Sequence, residues 1–175
     1  IYVHEFEVSK KVVCEIGYFS AVVSSEEFAV TGKDLYEVAD TGTDLYEVKD
    51  DDPVALKIWL ELLHHGKTTE SLGVSIASVW HVLIVARKYD FDALGESAQA
   101  WFSEWYSHNT RNREFNTLQC REPIYPCYTF NHAQGFAAVT KKLAYNTPGH
   151  IQESRPKGIS AEQEEQRLRS RAISK

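Results

Sequence analysis

The feature that most constrains this chain is a block of apolar residues at helical spacing, opening on Asp50-Asp51-Asp52-Pro53 and running to Tyr106. A carboxylate there can accept the orphan N–H groups of a first helical turn, and proline in that turn loses no hydrogen bond. The acidic run also complements the positive end of the helix dipole, so capping explains these carboxylates better than cation binding. Residues 54–65 are apolar on most sides, with Lys57 and Glu61 marking one wetter stripe, which predicts a largely buried helix. Gly66 and residues 68–73 read as a loop. Ser75 or Ser78 then caps a second, almost wholly apolar helix through Val79, Trp80, Val82, Leu83, Val85 and Ala86 to Tyr89. A third helix is expected from about Asp92, placing Leu94, Ala98, Trp101 and Trp105 on one face. Three such helices must pack on one another.

The flanks are less regular. Residues 1–8 alternate and are rich in β-branched and aromatic side chains, predicting a short hairpin, and Ser9 can cap a helix carrying Val12, Val13, Ile16, Phe19, Val22 and Val23. Asp34-Leu35-Tyr36-Glu37-Val38 recurs ten residues later as Asp44-Leu45-Tyr46-Glu47-Val48. Each copy is strand-like between turn formers. Two copies are too few for a solenoid, so a local duplication that lengthens a loop is expected, with one copy paired in a sheet. Beyond Tyr106, Pro123 and Pro126 forbid one straight helix over residues 115–128. Residues 132–145 predict a fourth helix, with Phe136, Val139 and Leu143 on its packing face, ended by Asn146-Thr147-Pro148-Gly149. Residues 160–171 begin with a Ser-x-x-Gln cap but hold few apolar residues, predicting a solvated helix or a disordered tail.

A chain of 175 residues, 43% hydrophobic, has the material for one domain and an extension. Its formal charge of −6 and pI near 5.6 disfavour a nucleic-acid surface. The basic residues Arg155, Lys157, Arg167, Arg169, Arg171 and Lys175 do cluster late, diluted by Glu162, Glu164 and Glu165; they support an alternative reading as a transcription-associated nuclear protein. Three cysteines, Cys14, Cys120 and Cys127, make no disulfide framework and suggest a reducing compartment, in the cytoplasm or nucleus. No apolar run is long enough to span a membrane, and the opening Ile1-Tyr2-Val3 resembles no signal peptide. The absence of methionine predicts a start inside a longer or processed chain.

The candidate chemistry is sparse. Cys120, Cys127 and His132 stand at spacings unlike structural zinc sites, and buried thiols are the expected role of the cysteines. His64 and His65 close a helix, where they stabilise its carbonyl end, and His81 sits beside Trp80 on an apolar helix. No phosphate-binding glycine loop or recognisable nucleophile motif occurs. Trp59, Trp80, Trp101 and Trp105 follow helical periodicity and are expected in the core. The prediction is a non-catalytic protein-interaction module, with no catalytic residues, metal or cofactor.

Several segments together resemble the BTB/POZ family in its fungal form. They are Ile1-Tyr2-Val3 with Phe6-Glu7-Val8-Ser9-Lys10 and Cys14; Tyr18-Phe19; Phe28; the Asp50-to-Pro53 start; and Val85-Ala86-Arg87-Lys88-Tyr89-Asp90. Tyr125-Pro126-Cys127-Tyr128, Gly135-Phe136, Leu143-Ala144-Tyr145-Asn146 and Gly149-His150-Ile151 resemble the extension of fungal members. Ser9 stands where the family usually has histidine, the first helix is about one residue short, the leading strand is clipped, and the duplication is extra. The resemblance implies an α+β fold, a small β-sheet capped by a helical core, with a helical C-terminal extension. It implies a domain over residues 1–107, the extension over 108–156 and a polar tail over 157–175. It also implies binding to proteins, by self-association as a homodimer or as a cullin-3 ubiquitin-ligase adaptor, through an interaction surface on the first helix at Lys10, Lys11, Tyr18 and Phe19.

Overall fold

The computed structural model describes residues 6, 8, 9, 35–37, 46–48, 51–68, 70–111 and 119–161. The predicted hairpin and first helix fall outside these residues, save for Phe6, Val8 and Ser9, which adopt no regular structure. Five helices carry the described architecture: α1 (Pro53–His65), α2 (Ile76–Tyr89), α3 (Glu96–Thr110), α4 (Ile124–Thr129) and α5 (Ala133–Asn146). Among the described residues no helix is long and apolar enough to cross a membrane.

The α+β expectation is corrected. The core of the described residues comes from helices and their connections, with no sheet beneath it. Strand pairing is confined to two three-residue segments, β1 (Leu35–Glu37) and β2 (Tyr46–Val48), antiparallel with Leu35 opposite Val48 and Glu37 opposite Tyr46. They are the two copies of the repeat, each serving as the partner of the other. Leu-Tyr-Glu-Val supplies strand propensity to both copies at once, so the duplication brings its own pairing surface. A ladder this short is not an independent structural layer.

Helix α1 begins as its sequence predicts. The Asp52 carboxylate accepts from the Ala55 N–H at 2.8 Å, and Pro53 occupies the first turn. Gly66 ends the helix in the left-handed region, φ 67°, and its N–H donates to the Leu62 carbonyl at 2.8 Å. Lys57 and Glu61 pair at 3.4 Å on the wet stripe. Ser75, rather than Ser78, caps α2, accepting from the Ser78 N–H at 3.1 Å. Asp90 then closes α2 in the left-handed region, which aspartate tolerates better than most residues.

Helix α3 starts later than the spacing suggests. The Asp92 carboxylate accepts from the Leu94 N–H at 2.9 Å, a local turn that holds residues 92–95 out of the helix. Leu94, expected on the buried face, is consequently 58% exposed, whereas Ala98, Trp101, Phe102 and Trp105 are buried. The proline-rich stretch resolves into the six-residue α4, where Pro126 lies in the first turn and so breaks no helical bond.

All four tryptophans are buried, and each indole N–H reaches a different segment from its own. Trp59 donates to the Val82 carbonyl at 2.7 Å and Trp80 to the Glu122 carbonyl at 2.9 Å. Trp101 donates to the Ser71 hydroxyl at 3.0 Å and Trp105 to the Val74 carbonyl at 2.9 Å. The rings add the apolar burial that dominates core energetics, and the N–H groups fix register between α1 and α2, between α2 and the approach to α4, and between α3 and the 3-10 turn Glu70–Gly73. Phe102 stacks on Phe130 at 4.7 Å, joining α3 to the end of α4. Ile159, 5% exposed, returns to the same core.

Candidate interaction surface

Lys10, Lys11, Tyr18 and Phe19 lie outside the described residues. Two segments of the family resemblance, Asp51-Asp52-Pro53 and residues 85–90, do lie inside them, and they meet. Asp51, its side chain 6% exposed, accepts from the Lys88 ammonium at 3.1 Å and from the Tyr89 hydroxyl. The acidic start of α1 and the Lys-Tyr-Asp end of α2 are thus two sides of one contact. Within the Asp run, Asp52 caps and Asp51 ties the helices together, a division the sequence does not announce.

An exposed apolar feature lies on α4 and α5. Helix α5 is capped by His132, whose Nδ1 accepts from the Gly135 N–H at 3.1 Å. Among the described glycines, Gly135 leaves the least room for a side chain. A Cβ there would stand 2.4 Å from His132 Nδ1 and 2.9 Å from the Cys127 sulfur. The helix is seated by Val139 and Leu143, which bury against Cys120 and Ile124. Phe136, predicted on that packing face, is instead 36% exposed. Periodicity identified the face but not how far along the helix its cover extends. Phe136 lies 6.4 Å from Tyr128, itself 65% exposed. Between α5 and the segment after it runs an open groove of about 590 Å³, lined by Ile124, Phe136, Thr140, Ile151, Gln152 and Glu153. Ile151 is also exposed.

Behind this surface the titratable groups are arranged for packing. Burial pushes the Cys127 thiol up to about 12 and raises that of Cys120, where Lys142 opposes the shift. Burial thus favours the Cys127 thiol over the thiolate. Burial lowers the pKa of His132, favouring the neutral imidazole whose Nδ1 accepts the cap hydrogen bond. The Tyr106 ring lies 4.9 Å from that of His132, and its hydroxyl is pushed up to about 12, chiefly by burial and secondarily by the nearby thiols. Among the described residues no three His, Cys, Asp or Glu side chains gather as a metal site. His64 and His65 occupy the last turn of α1, and His81 is half-buried on α2. Of the late basic residues, Arg155 donates to the Ile159 carbonyl at 3.3 Å; Arg167, Arg169, Arg171 and Lys175 lie outside the described residues.

Compared with protein-family models, curated proteins and solved structures, the chain matches none of them.

Proposed function

We propose that the chain is a non-catalytic protein-interaction module that binds through the α4–α5 surface. The observation that carries this reading is the exposed Tyr128–Phe136 pair beside the groove reaching Ile151. Aromatic side chains that are solvent-exposed yet held on rigid helices are the usual anchors of protein interfaces, since they bury much area for little lost conformational freedom. The BTB/POZ resemblance supplies the partners to try first, a second copy of the chain and cullin-3.

Sedimentation velocity over a concentration series tests the first partner. The expected result is a concentration-dependent dimer that Tyr128→Ser with Phe136→Ser converts to monomer while the circular dichroism spectrum is unchanged. Titration calorimetry against the N-terminal domain of cullin-3 tests the second, with the same double variant as the control. A strictly monomeric chain that also gives no heat with cullin-3 would refute the reading for both partners, and binding unaffected by the double variant would refute the surface.

A further inference from the structure

A second groove, of about 310 Å³, lies between α1 and the turn that leads into α2. Its apolar lining is Phe6, Val54, Ile58 and Val74, with Val54 44% exposed, and Lys57 and Glu61 form its charged wall. The Glu61 carboxylate is held from behind by a hydrogen-bond relay of fixed direction. The Thr68 hydroxyl donates to Glu61 Oε2, so its proton is spent. Ser71 must therefore donate to Thr68 across their 3.1 Å contact, and the Ser71 oxygen in turn accepts from Trp101 Nε1 at 3.0 Å. Thr68 and Ser71, 6% and 7% exposed, are thus both committed to orienting one carboxylate. Its other oxygen, Oε1, faces the Lys57 ammonium at 3.4 Å. Lys57 is 51% exposed, and a surface pair four residues apart on a helix is among the weakest of ion pairs.

We infer that this groove receives a peptide segment in which an arginine stands next to an apolar side chain, the guanidinium replacing Lys57 at Glu61 Oε1 and the apolar group lying on Val54, Ile58 and Val74. Charge and shape both point to this occupant. A carboxylate oriented in advance favours the planar, directional guanidinium over a mobile ammonium, and the wall beside it is apolar. The relay anchors Oε2 and leaves Oε1 facing the Lys57 ammonium. This site is separate from the α4–α5 surface and does not rest on it.

The test uses two capped tripeptides, Leu-Arg-Leu and its neutral twin Leu-citrulline-Leu, titrated into the whole chain and followed by amide ¹H–¹⁵N shifts. The expected result is saturable shifts at Val54, Lys57, Glu61 and Val74, with the arginine peptide binding about tenfold more tightly. Glu61→Gln should abolish the difference between the peptides, and Lys57→Ala, by removing the competing cation, should strengthen the arginine peptide severalfold. A purely structural Lys57–Glu61 pair predicts no such gain. Equal affinity for the two peptides, shifts confined to other surfaces, or weaker arginine binding in Lys57→Ala would overturn the inference. None of these outcomes bears on the sedimentation result with the Tyr128 and Phe136 variants, so the two readings fail separately.

Discussion

Replacing Gly135 by alanine is the sharpest probe of how the C-terminal helix is seated. Gly135 is the third residue of α5, and its N–H donates to His132. On propensity alone, alanine in a helix gains about 1 kcal/mol over glycine. The structure opposes that gain, since the new methyl would stand 2.4 Å from the imidazole and 2.9 Å from the Cys127 sulfur. Neither neighbour is free to retreat, because Phe102 and Tyr106 pack against the His132 ring and Cys127 is 1% exposed. Overpacking of this kind costs about 1–3 kcal/mol, and displacing the imidazole adds the lost cap, about 1 kcal/mol. Set against the propensity gain, Gly135→Ala should destabilise the chain by about 1–3 kcal/mol. Urea unfolding followed by tryptophan fluorescence measures this directly, since Trp101 and Trp105 lie in the core that α4 and Phe130 complete. Adding His132→Ser removes the ring while keeping a good cap, and should restore most of the loss. A single variant as stable as the parent, or a double variant no better than the single, would refute the steric argument.

Asp51→Ala should cost about 1–3 kcal/mol in the same unfolding assay, because it removes the carboxylate that accepts from the buried Tyr89 hydroxyl and from Lys88. Lys88→Met should cost less, about 0–1 kcal/mol, since Lys88 is 29% exposed. The lowered pKa of His132 gives a pH dependence of definite sign. Folded chains bind fewer protons at this group than unfolded ones, so its contribution is full above the ordinary value of 6.5 and is lost as pH falls through that value toward the lowered one. His132→Ser should flatten that part of a stability-against-pH profile. Native Cys127 should resist iodoacetamide at pH 8 and react on unfolding, as site-resolved mass spectrometry would show; rapid native labelling would contradict its buried, protonated state.

The helical block was legible because its signals are local. Asp52, Pro53, Gly66 and Ser75 mark boundaries through backbone bonds within one turn, and the periodic apolar residues between them define buried faces. Leu94 misled because the Asp92 side chain forms a competing turn, which hydrophobic spacing does not register. Phe136 misled because exposure depends on what lies opposite, a property of the tertiary arrangement. The expected sheet was inferred from family resemblance, and the strand propensity of the repeat is satisfied between its own two copies. The relay to Glu61 was invisible for another reason. Thr68 and Ser71 sit in a stretch whose composition says only loop, and their role emerges when Trp101, 30 residues further on, arrives beside them.

The contact of Asp51 with Lys88 and Tyr89 has a mechanical consequence. Helices α1 and α2 form a hairpin joined at one end by the connecting turn, and this contact fastens the other end, across 37 and 38 residues of chain. Such a hairpin is a closed ring rather than a zipper. It has no free end from which to fray, so the first turn of α1 and the last turn of α2 must let go together, and amide protons at those two distant places in the sequence should exchange with a single shared opening rate.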